Sequence, residues 1–173
     1  IGFYYLVYLV STLALITGAS DNAYLSLAGL FGALPFAAFR SRKGRARYFL
    51  LLSTLILAIC YIAGVSVSMA GKVLPLYGLF RVLGGIRPLP YLGAVLCIVS
   101  LALLYRERNK EITESAHAKR WIRGYTAVLC LSLLAFIAVF AYANSLPYET
   151  VKEKFVGLAD YLKFRDEWGT FRG

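Results

Sequence analysis

The stretch Arg40-Ser41-Arg42-Lys43-Gly44-Arg45-Ala46-Arg47, running straight into Tyr48–Ala70, decides the class of this protein. Five basic residues with no acid are followed by a long run without a formal charge. Crossing the hydrocarbon takes a helix of about 20 apolar residues, within about 17–25, and Tyr48–Ala70 falls in that window. Lipid offers no partner for backbone N–H and C=O groups, so such a run must be helical. Outward from it, four further stretches read the same way: Ile1–Gly18, Ala23–Phe39, Leu89–Tyr105 and Tyr125–Ala143. All 19 basic and 9 acidic residues lie outside the five.

Composition agrees. Sixty per cent of the 173 residues are apolar and sixteen per cent charged, against about 45–50% and about 25% in a soluble domain. Thirteen Tyr and 11 Phe exclude disorder, because chains that stay unfolded are poor in aromatics. Fifteen Gly, 5 Pro and 3 Cys in no period exclude a collagen-like rod or a disulfide scaffold. The expectation is an all-α fold: a polytopic membrane helical bundle of about five transmembrane helices over residues 1–143, spans near 1–18, 23–39, 48–70, 89–105 and 125–143. Ile1 is not a Met, and the chain is expected to begin inside its first span or at its edge.

The connections sort by charge. Loop 40–47 carries five basic residues, and 106–123 carries six with three acids. Opposite them lie Asp21, then Lys72, Arg81 and Arg87 in 71–88, then a tail from Asn144 with five of each sign. One side therefore holds +8 and the other +2. Short cytoplasmic loops carry the Lys/Arg excess. Loops 40–47 and 106–124 are thus expected to be cytoplasmic, and loop 71–88 and the tail 144–173 extracytoplasmic, in a multi-pass cell-membrane protein. Arg40–Arg47 reads as an anchor to anionic headgroups, about 1 kcal/mol per basic residue. Nucleic acid is not an expected partner, since it would have to approach a negatively charged bilayer between two spans.

Residues 71–88 are too apolar for a solvated loop, and Pro75, Gly78, Gly84 and Gly85 interrupt them. They read as an interfacial clip between spans three and four. The alternative is a segment lining an outward cavity, with Arg81 and Arg87 facing an anionic ligand. In the tail, Val151, Phe155, Leu158 and Leu162 make one stripe of an amphipathic helix expected over 148–164, with Pro147 near its start.

Much familiar chemistry is missing. His117 is the one histidine, and Cys60, Cys97 and Cys130 fall in three different spans. They read as small apolar residues at helix contacts, and a zinc site would need several ligands together. No metal or cofactor is expected. No span holds an ionisable residue, which disfavours a transporter. Ala28-Gly29-x-x-Gly32-Ala33 and Ala63-Gly64 with Ser66 and Ser68 are expected at close helix contacts. Pro35 lies inside span two, where a neighbour must satisfy the carbonyls it leaves open.

Two short stretches carry a resemblance. Ser20-Asp21-Asn22-Ala23-Tyr24-Leu25 opens span two, and Trp168-Gly169-Thr170-Phe171-Arg172-Gly173 closes the chain. Both resemble segments of the O-antigen ligase and polymerase family of bacterial cell-envelope proteins. In that family a Ser-Asp-(Asn/Ser)-x-(Tyr/Phe)-Leu-like start precedes a span. A Gly-x-x-Arg-Gly-aromatic-x-Trp-like run opens a large extracellular loop. This sequence stops before the aromatic and the Trp, so a fragment lacking N-terminal spans and the C-terminal catalytic loop is expected.

The resemblance implies a glycosyltransferase of polysaccharide biosynthesis. Its partners would be a polyprenyl-diphosphate-linked glycan, an acceptor glycan or lipid, and membrane lipids. Arg172 matches the motif's arginine and would be catalytic. Arg81 and Arg87 are substrate-binding candidates from their expected side alone. The fragment by itself is expected to be inactive. The competing class is a non-enzymatic multi-spanning membrane subunit or sensor module.

Overall fold

The computed structural model describes residues 2–18, 21–73, 76, 78–109, 115–155 and 158–163, by backbone alone at 21–25, 160 and 161. The order is α1 (Gly2–Thr17), α2 (Asp21–Ala38), α3 (Arg42–Ser68), α4 (Gly78–Gly84), α5 (Leu89–Arg106), α6 (Ala118–Ser145), α7 (Tyr148–Lys154) and the single turn α8 (Ala159–Leu162). Among the described residues the one β-type pairing is an isolated bridge between Ala70 and Val73. The chain is all-helical. Helices α3, α5 and α6, of 27, 18 and 28 residues, are long and apolar enough to cross a membrane. At about 1.5 Å per residue they reach about 40, 27 and 42 Å. The apolar helix α1 is shorter, as is Ser26–Ala38, the part of α2 whose side chains are described.

Two helices begin earlier than their charge-free runs. Helix α3 starts at Arg42 rather than Tyr48, and α6 at Ala118 rather than Tyr125. Lys and Arg are good helix formers, and Ser41 provides a stop: its hydroxyl accepts from the Gly44 N–H at 3.0 Å. Charge marks where lipid ends, not where the helix ends.

The chain divides into two compact units, Ile1–Tyr125 and Thr126–Gly173. In the first, α3 is the hub, packed by α1, α2, α4 and α5. Leu55, Ala58, Ile59 and Ile62 recur at i, i+3, i+4 and i+7 and meet Ile16, Leu27, Leu76 and Phe80. Helix α1 is held by hydroxyls. Tyr5 hydrogen-bonds Thr54, Thr54 donates onward to the Leu50 carbonyl, and Tyr8 donates to the Leu51 carbonyl at 2.8 Å. Between apolar helices such bonds, rather than water exclusion, select the partner face.

Pro35 is buried inside α2. Its missing N–H leaves the Phe31 carbonyl, four residues back, without the usual donor. Two tyrosines supply one: the Tyr48 hydroxyl donates to the Phe31 carbonyl at 3.2 Å, and Tyr125 to Phe31 at 3.4 Å and to Gly32 at 2.8 Å.

The expected glycine contacts are overturned. A methyl group at Gly29 or Gly32 would meet open space, because α2 turns Leu27, Phe31 and Pro35 inward and the small-residue face outward; one at Gly64 of α3 would also meet open space, although its neighbour Ala63 is at a close contact. Close approach occurs instead at Gly93, where a Cβ would stand 2.9 Å from Ile56 Cγ2, and at Gly84. Of the cysteines, Cys60 and Cys97 are half-buried, whereas Cys130 is exposed on α6.

In the second unit the tail stripe forms a hook instead of one helix over 148–164. Pro147 starts α7, which stops at Phe155, and the chain resumes at α8. Val151, Ala159 and Leu162 close around Ala143, with Phe155 and Leu158 alongside. The Asn144 amide donates to the carbonyls of Phe140 and Leu162, both at 2.8 Å, and Lys163 donates to Leu146. A straight helix would leave half this stripe without a protein partner. The bend buries it on the last turns of α6.

Candidate functional site

Arg81 and Arg87 stand on the connection between α3 and α5, and the local sequence explains its shape. Helix α3 ends at Met69, whose N–H still reaches Val65. Lys72 and Val73 fold back onto the Met69 carbonyl at 2.9 and 3.3 Å, with Gly71 at φ +84° in the turn. That left-handed angle favours glycine. The Leu76 N–H donates to the Ser66 hydroxyl at 3.0 Å, and Leu76 and Phe80, 7% and 3% exposed, insert beside Ile59 and Ile62. Gly84 then lies against Ala63, with room for no Cβ: one would stand 2.3 Å from the Ala63 methyl.

Beyond Gly84 the Gly85 N–H returns to the Arg81 carbonyl at 3.1 Å, Ile86 to Leu83 at 3.1 Å and Leu89 to Ile86 at 3.0 Å. Pro88 precedes α5 and Pro90 sits in its first turn, where a missing N–H is harmless. The described residues of this segment thus form a clip docked on the last turns of α3. Its two guanidinium groups are exposed, and among the described residues neither is paired with a carboxylate. Ser66→Ala is expected to free this clip in part. Losing the acceptor for a buried N–H costs about 1–3 kcal/mol, to be seen as faster amide exchange at Leu76 while exchange in α5 is unchanged.

Arg172, with Trp168–Gly173, lies outside the described residues, as does Ser20 of the first motif. The backbone of Asp21–Leu25 forms the first turns of α2. The structure therefore brings Arg81 and Arg87 onto one clip and leaves their relation to Arg172 undescribed. His117 is exposed just before α6. Among the described residues no three His, Cys, Asp or Glu side chains gather as metal ligands.

A second cluster escaped the reading of the sequence. At the Arg42 end of α3, Phe39 is 5% exposed and meets Tyr48, Tyr125, Phe49 and Trp121 at centroid distances of 5.4, 5.5, 5.9 and 6.1 Å. Arg45 lies over the Trp121 ring at 5.1 Å and donates to the Phe39 carbonyl at 3.2 Å. The two basic segments join here. Ser115 N–H donates to the Arg40 carbonyl at 2.8 Å, Lys43 to the Arg108 carbonyl at 3.3 Å, and Arg42 lies 4.0 Å from Glu107. One signal pointed this way: Trp121 and Tyr125, four apart on one helix face, beside an α2 whose Pro35 needed donors. No protein-family model, curated protein or solved structure matches this chain.

Proposed function

We propose that this chain is part of an integral membrane glycosyltransferase of the O-antigen ligase and polymerase type. It transfers or polymerises glycan from a polyprenyl-diphosphate carrier at the outer membrane face. In this reading α1 and α2 complete five crossings with α3, α5 and α6; α1, the shortest at 16 residues, is accommodated by local thinning of the bilayer. The +8 side is cytoplasmic. The clip, the tail hook and Arg172 face outward.

The observation that carries the reading is the docked clip. It presents Arg81 and Arg87 at the end of a membrane-length helix, where the diphosphate of a lipid carrier would lie. The two sequence motifs supply the reaction class. An acceptor hydroxyl forms the new bond to the anomeric carbon. The old carbon–oxygen bond breaks with its electron pair on the diphosphate, and the hydroxyl proton passes to water or to the released diphosphate. Charge grows on the leaving diphosphate, and preorganised cationic donors stabilise it best in a partly dry site. The planar guanidinium fork matches two phosphate oxygens at once.

The test is Arg172→Lys in the complete protein, assayed for glycan transfer. A preorganised donor at such a centre supplies about 10²–10³-fold. Lysine keeps the charge and loses the fork, so a fall of about tenfold or more is expected. Activity near wild type would remove Arg172 from the diphosphate.

A further inference from the structure

We infer that the two basic segments are not separate anchors but one preformed seat for the phosphate headgroups of anionic phospholipids. The inference is independent of the glycan-transfer reading. It needs only that α3 and α6 cross a membrane.

Three observations carry it. First, the segments are physically joined: Ser115 is hydrogen-bonded to the Arg40 carbonyl and Lys43 to the Arg108 carbonyl, so the cations of one segment stay beside those of the other. Second, Arg45 is oriented by uncharged groups, the Phe39 carbonyl and the Trp121 ring. Neutral partners fix a cation without cancelling it. Arg42 lies 4.0 Å from Glu107. The joined segments hold eleven basic and three acidic residues in sequence. Cations brought within about a Debye length, ~8–10 Å, repel one another until anions arrive. Third, Arg40, Arg47, Arg120 and Arg123 are exposed at the ends of helices of membrane-crossing length, with Trp121 at the same level. Trp favours the headgroup layer. The anions that this layer holds at fixed depth are lipid phosphates, which places the occupant in the bilayer rather than in solution.

The protein would be reconstituted in nanodiscs of phosphatidylcholine containing one fifth phosphatidylglycerol. Retained lipids would be counted by native mass spectrometry after release. Wild type is expected to retain phosphatidylglycerol and phosphatidylcholine in a ratio about tenfold that of the disc. Two paired variants, Arg40→Gln with Arg47→Gln and Arg120→Gln with Arg123→Gln, are each expected to lower that enrichment at least about fivefold, on the scale of one lost cation. Unchanged helical content by circular dichroism in pure phosphatidylcholine discs shows that each variant is folded; these surface side chains support no core. Retention of phosphatidylglycerol only at its share in the disc would overturn the proposal. So would loss in one pair with none in the other, which would mean a single-segment anchor. Enrichment of free phosphate or of RNA in place of lipid would overturn it as well.

Discussion

Phe39→Ala is expected to destabilise the protein by about 3 kcal/mol. Removing a fully packed Phe costs about 3–5 kcal/mol in a protein core. The lower end applies here because the part of that figure due to water vanishes where lipid replaces water. What remains is contact. Phe39 is the one ring that touches Tyr48, Phe49, Trp121 and Tyr125 together, so its loss leaves a hole that none of the four can fill alone. Edge-on ring pairs add about 0.5–1.5 kcal/mol each beyond area. The backbone at Phe39 also serves Arg45, whose guanidinium takes the Phe39 carbonyl. Unfolding of the detergent-solubilised protein in increasing SDS would measure the change. Phe49→Ala, which vacates a half-buried ring on the rim, is the comparison and should cost clearly less. A Phe39→Ala protein within about 1 kcal/mol of wild type would mean that the aromatic cluster does not hold α2, α3 and the start of α6 together.

The second large effect concerns the clip. Gly84→Ala places a methyl 2.3 Å from the Ala63 methyl, a distance no packed pair tolerates. Overpacking costs about 1–3 kcal/mol, and the upper end is expected because Ala63 is a short side chain with no rotamer to move. The expected result is a clip lifted from α3. Amide exchange should accelerate from Leu76 to Gly85 and, if the proposed function holds, glycan transfer by the complete protein should fall with it as Arg81 and Arg87 shift. Ala63→Gly removes the opposing methyl and should restore both readouts, with a coupling of about 1–3 kcal/mol in the double-mutant cycle. If Gly84→Ala leaves exchange untouched, or Ala63→Gly fails to rescue it, Gly84 is not the contact that docks the clip.

The candidate site was partly legible. Arg81 and Arg87 were candidates from their expected side alone; what the Pro- and Gly-interrupted apolar run made legible is a segment that clips spans three and four together, and its described residues do fold onto α3. Which residues dock it stood out in part. The small-residue signal included Ala63 and Ser66, which meet the clip, but it also favoured Gly29, Gly32 and Gly64, where a methyl would meet open space, and it missed Gly84 and Gly93. A small residue marks a place where helices can approach, not a place where they do. The tail shows the same limit. Val151, Phe155, Leu158 and Leu162 were correctly grouped as one apolar set. Periodicity assumes a straight helix, however, and burial against Ala143 favoured a bend after Lys154.

The sequence alone determined that the five charge-free stretches are helical and that α3, α5 and α6 are of membrane length. Lipid imposes that solution on any long charge-free run, whatever its neighbours. The tertiary structure alone decided which faces meet, how the two basic segments join, and that Tyr48 and Tyr125 serve the carbonyls around Pro35. In a span that is apolar all round, the lipid-facing and protein-facing sides have the same composition. The choice between them then rests on shape and a few hydrogen bonds, and those exist only once the helices are in place.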